Sequence, residues 1–217
     1  MSRLEELRAL YWQIHQCTTC HSSVGCNIRP DPHRILRVAI PDTLESRIFL
    51  VGQALAKDTQ RLSGIPYTLP SGKTKAAGTK LNTCLTYIDY CIPHVGNENR
   101  QMVYSSDIVQ CWPGSRGSRD TKPRDLEINN CFHWLLSEID LVKPRVIILL
   151  GKIAASIFIQ RYLAQEVKQL STVLDQEYTP VINGAQVYLY VLPHPTSGYP
   201  GFYTIYKHTL GLAKEHL

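Results

Sequence analysis

Seven cysteines punctuate the 217-residue chain, and their spacing is the first feature that could do chemistry. Cys17-Thr18-Thr19-Cys20 sets two thiolates within one turn of chain, near enough to share an ion or a cluster. By itself a C-x-x-C pair serves equally well as a redox couple or as half of a zinc site. Cys111, at the end of an apolar run, and Cys131, inside a helical pattern, supply a second pair. Cys17, Cys20, Cys111 and Cys131 can together close a four-thiolate site. Soft thiolates select iron–sulfur or zinc, and spacing alone does not choose between them. Cys26 is an alternative ligand to Cys20. Cys84 and Cys91, seven apart on a predicted helix, read as small buried hydrophobes.

A metal site is favoured over disulfides only if the chain lives in a reducing compartment. The first residues, MSRLEELRALYWQIH, are charged and amphipathic and lack the apolar core of a signal peptide. No apolar run approaches the roughly eighteen residues needed to cross a bilayer. These features predict a cytoplasmic protein with no membrane partner. Hydrophobic content of 44% with 19% charged residues predicts one ordinary globular domain over 1–217, with the segment 1–46 integral to it, and a monomer. A net charge of +5 is compatible with nucleic acid but does not demand it.

The elements that must hold these residues follow from periodicity. Leu4, Leu7, Leu10, Tyr11 and Ile14 predict a helix over 3–16 that runs straight into Cys17. Residues 21–46, rich in Pro, Asp and Arg, read as an irregular surface-following segment. RIFLVG (47–52), MVYSSDIVQC (102–111), RVIILLG (145–151) and VYLYVLPHP (187–195) are four predicted strands. Helices are expected over 73–91, from Pro123 to Leu141, over 152–165 and over 202–216, with loops at 53–72 and 112–122. Strands alternating with helices predict an α/β fold, a three-layer α/β/α sandwich around a four-stranded parallel sheet. Ligands in such sheets bind beyond the carboxyl ends of the strands, so the loops after 52, 110, 151 and 193 define the expected site.

Those loops carry a resemblance. VGQALAKD (51–58) followed by SGIPY (63–67) resembles the strand, tight turn and G-x-P-F segment of the iron–sulfur uracil-DNA glycosylases, often termed family 4. VYSSDIVQCWPGSR (103–116), leading to Cys131, is similar to the stretch in which that family's strand delivers an Asn and then a cluster cysteine. KPRVIILLGKIAA (143–155) and VLPHPTSGYPGF (191–202) resemble its next strand and its His-Pro-Ser motif. Order and spacing agree from about residue 10 onward.

The resemblance implies a uracil-DNA glycosylase-like fold, double- or single-stranded DNA as partner, and a structural [4Fe–4S] cluster on Cys17, Cys20, Cys111 and Cys131. It gives His194 the role of a donor to the departing base and Tyr67 that of an aromatic stacked on it. Arg116, Arg119 and Lys122 are candidates for phosphate contacts. Departures from the uracil pattern matter more. Ala54 stands where the most active uracil enzymes carry a catalytic Asp, leaving Asp58 and Gln53 as candidates for activating water or stabilising the sugar cation. Ala56 opens the C5 edge that a Tyr closes in uracil-specific enzymes. Asp107 replaces the Asn that reads uracil, and a carboxyl group matches the amino edge of cytosine better. The expected activity is therefore monofunctional excision of a flipped pyrimidine. A C5-modified cytosine, such as the glucosylated hydroxymethylcytosine of phage DNA, is the expected target, with a role in antiviral defence. The alternatives are a family 4 uracil-DNA glycosylase in base-excision repair and a protein that binds DNA or modified bases without cleavage.

Overall fold

The computed structural model describes residues 1–93, 100–117 and 119–217, with Arg119 given by its backbone alone. In chain order the elements are α1 (Arg3–Gln16), β1 (Ile48–Ala54), α2 (Gln60–Ser63), α3 (Ala76–Leu85), β2 (Tyr90–Cys91), β3 (Gln101–Met102), β4 (Tyr104–Val109), β5 (Ser115–Arg116) and β6 (Arg119–Asp120). They continue with α4 (Asp125–Val142), β7 (Val146–Leu150), α5 (Lys152–Leu163), β8 (Val181–Ile182), β9 (Ala185–Gln186), β10 (Tyr188–Leu192) and α6 (Phe202–Lys214). Four strands form one parallel sheet in the order β10-β7-β1-β4.

Unbroken Val/Ile/Leu runs make such strands because both faces are covered. Phe49, Val51, Ile147 and Leu149 point to one side and pack with Leu7 of α1, Phe132 and Leu135 of α4 and Phe158 of α5. Their neighbours Ile48, Leu50, Val146 and Ile148 point to the other and pack with Leu81 and Leu85 of α3 and Tyr206 and Leu210 of α6. The three-layer α/β/α architecture is as the sequence predicts. No described helix is long and apolar enough to cross a membrane.

The elements differ from expectation where local chemistry intervenes. The helix expected over 73–91 ends at Leu85, where Thr86, Tyr87 and Ile88 bring poor helix formers and a 3-10 turn follows. Asp89 then turns left-handed at φ 63°, so Cys91 lies on β2 rather than on a helix, although both it and Cys84 are buried. The strand expected over 102–111 is divided between β3, which pairs with β2, and β4, which pairs with β1. Loop 112–122 contains the β5–β6 hairpin. The helix expected from Pro123 begins at Asp125, because the Glu127 carboxylate accepts the Arg124 backbone N–H at 2.8 Å and sets the cap there. A further hairpin, β8–β9, turns on Asn183-Gly184, both left-handed.

Two carboxylates lie wholly buried on α4. Glu127 accepts the N–H groups of Asn27 and Ile28 and so ties the segment after Cys26 to the helix start. Glu138 accepts from Arg37 Nη1 at 2.8 Å and from the Tyr104 hydroxyl at 2.6 Å. Arg37 belongs to the irregular strap before β1, and it also donates to Ser106 Oγ at 3.1 Å and to the Ser105 carbonyl of β4. The Tyr104 hydroxyl meets that of Tyr11 on α1. One buried ion pair thus joins the strap, α1, β4 and α4. Removing one partner of such a pair leaves an uncompensated charge, at a cost of about 3–5 kcal/mol. Arg37→Met should lower unfolding free energy by about that amount in urea titration, and Arg37→Met/Glu138→Leu should recover most of it. Equal losses in the two variants would show that the pair is not the stabilising unit.

Candidate active site

The carboxyl ends of the four central strands bring most of the expected residues to one end of the sheet. Gly52 and Asp107 are register partners on β1 and β4. A Cβ at Gly52 would collide with Asp107 Oδ1, so glycine is what lets the carboxyl lie across β1. Gly151, at the end of β7, adopts φ +90° and donates to the Leu192 carbonyl at 2.8 Å. A side chain at Gly151 would come within 3.2 Å of the His194 Cβ. The backbone leading to His194 is further fixed by the Tyr206 hydroxyl, which donates to the Pro193 carbonyl at 2.7 Å.

His194 is partly buried, and its Nδ1 accepts the Thr196 backbone N–H at 3.3 Å with the Thr196 hydroxyl at 2.8 Å. That network assigns the ring proton to Nε2, which is left to donate outward. Burial pushes the imidazolium pKa below its ordinary value, favouring the neutral ring. The geometry is that of a neutral, aimed N–H donor.

Asp107 titrates at about 7, because burial raises its pKa, the Arg37 guanidinium lowers it and Glu138 raises it. Among the described residues no donor meets its carboxyl group. β4 is an edge strand and its side chains alternate. Tyr104 and Ser106 face α4 and Arg37, whereas Ser105 and Asp107 face the opposite side. Tyr67 joins Ser105 and Asp107 there. Burial first, and then the negative charge of Asp107, hold its hydroxyl above the usual phenol range, while the Ser105 side chain bonds to it. Tyr67 is left-handed at φ 61°, and Gly78 on α3 makes room for it, since a Cβ there would fall 2.7 Å from the Tyr67 Cβ.

Other expected residues sit apart from this group. Asp58 is half exposed and ion-paired with Lys75 at 2.7 Å, which holds its carboxyl below the usual range. Such a carboxylate is a poor proton acceptor. Gln53 is partly buried at the end of β1, and Ala56 is exposed just beyond it. Arg116 on β5 and Lys122 are exposed, and the side chain of Arg119 lies outside the described residues. Their hairpin is held to the loop after β1: Asp120 accepts from Trp112 Nε1 at 2.9 Å and from the Lys57 N–H at 3.4 Å. Sequence reasoning missed Arg37, Glu138 and Ser105. Glu138 had a legible signal, a carboxylate on the apolar stripe of Leu135, Ile139 and Val142.

The cysteines converge beside the far end of β4. Cys111 and Cys131 each feel the charges of Cys17 and Cys20, and Cys131 feels that of Cys111. Burial raises the thiols of Cys111 and Cys131, and that of Cys20 to about 11. Three N–H donors already aim at these sulfurs: Gln110 N at 3.1 Å from Cys131 Sγ, Arg34 Nη1 at 3.4 Å from Cys111 Sγ and Asn130 Nδ2 at 3.5 Å from Cys20 Sγ. Cys26 also lies against Cys20, and Asn130 reaches its sulfur at 3.9 Å. Among the described residues no three His, Cys, Asp or Glu side chains are grouped to hold a single metal ion. A cubane cluster makes a looser demand, since each thiolate binds a different iron. Buried soft donors already faced by N–H groups fit that chemistry.

Comparison with known proteins places this geometry. The model of the uracil DNA glycosylase superfamily matches residues 40–197. The type-4 uracil-DNA glycosylase of Archaeoglobus fulgidus is 26% identical over 196 residues, covering 89% of this chain and 83% of the relative. Pyrobaculum aerophilum has a type-4 uracil-DNA glycosylase 25% identical over 194 residues (88% and 84%) and a type-5 enzyme 24% identical over 153 residues (70% and 62%).

The histidine geometry is testable without any substrate. In a ¹⁵N-resolved pH titration His194 should keep its proton on Nε2 and become charged only below the ordinary imidazole value of about 6.5. A midpoint above that value would contradict the assignment.

Proposed function

The chain belongs to the uracil DNA glycosylase superfamily and is a DNA glycosylase by that membership, and we propose that its target is a flipped pyrimidine with a cytosine edge, carrying a substituent at C5. The observation that carries the reading is Asp107, partly buried and, among the described residues, without a protein donor, where the family's uracil enzymes place Asn. An ionised carboxylate would face uracil O4 with like polarity. A carboxylic acid can accept from cytosine N4 while donating to N3. An unmatched polar group at this point costs on the order of 1–3 kcal/mol, enough to shift preference tenfold or more.

Ordinary cytosine is an unsuitable target, because its excision would destroy the host's own DNA. A modified cytosine avoids that hazard. Ala56, small and exposed, leaves room for a C5 group such as glucosylated hydroxymethyl, and excising it from phage genomes would serve defence. A conventional uracil-repair reading draws support from the relatives, which are uracil-DNA glycosylases, and Asp107 argues against it.

The chemistry then assigns itself residue by residue. The nucleotide is flipped out of the duplex, and the face of Tyr67 stacks on the base. His194 Nε2–H donates to the O2 of the departing base, where negative charge develops. Asp58, kept ionised by Lys75, supplies negative potential for the sugar cation rather than taking a proton. Gln53 positions the attacking water. Arg116, Arg119 and Lys122 meet phosphates around the hairpin. Cys17, Cys20, Cys111 and Cys131 would hold a [4Fe–4S] cluster, whose role is to tie the start of the chain to the end of β4.

Abasic-site formation on duplexes bearing either uracil or glucosylated hydroxymethylcytosine tests this. The wild type should cleave the modified cytosine, Asp107→Asn should shift preference toward uracil by about tenfold or more, and His194→Ala should be inactive on both while folded. Efficient uracil release by the wild type, unchanged in Asp107→Asn, would overturn the reading.

A further inference from the structure

Asp107 sits on a strand with two ions across it, and their charges bear on whether its carboxyl holds a proton. Arg37 and Glu138 lie on the α4 side of β4, where Arg37 donates to the Ser105 carbonyl and the Ser106 hydroxyl of the two residues that precede Asp107, and Glu138 accepts from Arg37 and from the Tyr104 hydroxyl. Gln110 completes the hold, donating to Ser106 Oγ and to the Asp107 carbonyl, both at 2.7 Å. The carboxyl group itself projects the other way, toward Gly52 and Tyr67. Across the strand it feels the charges of Arg37 from the strap and Glu138 from α4, on its own side it meets Tyr67 of the 64–75 loop, and Gly52 of β1 brings only backbone. The cation and the anion act in opposite directions and burial is the largest influence, so Asp107 holds a proton up to about pH 7. Ser105 and Tyr67 bond to each other rather than to Asp107.

We propose that Asp107 is the general acid of the reaction, delivering its proton to ring N3 of the departing cytosine-type base, and that the Arg37–Glu138 pair is the positioning device that holds its strand, with Glu138 offsetting the guanidinium that would otherwise favour loss of that proton. The inference rests on the cytosine-edge reading above. The C1′–N1 bond breaks and its electron pair passes to the base. The Asp107 proton moves to N3, so the base leaves neutral rather than as an anion. Water adds its oxygen to C1′, and the proton it releases restores the carboxylic acid. Cytosine N3 has a lone pair to take this proton. Uracil N3 already bears hydrogen and has none, so the same carboxyl that speeds one base cannot speed the other.

Single-turnover pH profiles on a duplex bearing glucosylated hydroxymethylcytosine test the assignment. Wild-type rate should fall about tenfold per unit as pH rises beyond about 7, because only the protonated carboxyl is competent. Glu138→Gln keeps shape and hydrogen bonds but removes the anion, so the carboxylate is favoured and the fall should begin at lower pH. In Asp107→Asn the alkaline fall should vanish, and Glu138→Gln should add nothing to it. Infrared difference spectra of the free protein, wild type minus Asp107→Asn, should show a protonated-carboxyl band lost over the same pH range and moved by Glu138→Gln. A flat wild-type profile, or a Glu138→Gln profile and band unmoved in a folded protein, would overturn the general-acid role. If Asp107→Asn left the choice between modified cytosine and uracil unchanged, or the wild type released no modified cytosine, the cytosine-edge reading itself would fail, and this inference with it.

Discussion

The Arg37–Glu138 ion pair is the constraint on which this molecule turns. A carboxylate with no exposed surface on the apolar face of α4 is tolerable only if a cation and further donors reach it. Here the cation comes from a strap with little regular structure of its own, and the strap is thereby ordered against the edge of the sheet. The same guanidinium lies over the rings of Tyr11 and Tyr104 at 4.7 and 5.0 Å, drawing in α1. An edge strand, a strap and two helices are fixed by one desolvated pair, and Asp107 is carried on that strand.

The consequence for the site is a division of labour across β4. Side chains facing α4 carry the ions and hydrogen bonds that hold the strand. Side chains facing the opposite way include Asp107, beside Gly52 and near the neutral Tyr67 hydroxyl, whose ionisation its charge opposes. Two glycines do the corresponding work on β1 and β7, where any side chain would displace Asp107 or crowd His194. β4 ends at Val109 and Cys111 follows two residues later, so one stretch of chain leads from the Asp107 carboxyl to the cysteines. In the proposed reading the cysteines secure the scaffold, and the choice of base is made at Asp107.

Much of this was legible in the sequence. The four apolar runs announced a parallel sheet because both faces had to be covered, and the Gly and His-Pro positions at their ends marked where a ligand would sit. Asp107 and His194 stood out because single residues in recognisable segments carry a distinct chemistry. What remained hidden depended on long-range pairing. Arg37 lies in a segment with no periodicity, and nothing local joins it to a glutamate 101 residues away. The short pairing of β2 with β3 has too few residues to leave a pattern. The engagement of Asp58 by Lys75 likewise spans a loop whose path the sequence does not dictate.

The central claim is that a partly buried carboxyl at position 107 turns a uracil-type scaffold toward a cytosine edge. Mass spectrometry of the free bases released by the purified protein tests it most directly, using phage-type DNA rich in glucosylated hydroxymethylcytosine alongside uracil-containing and unmodified DNA. The account predicts release of the intact modified cytosine, with uracil and ordinary cytosine left in place. Release of uracil, with the modified cytosine untouched, would contradict it.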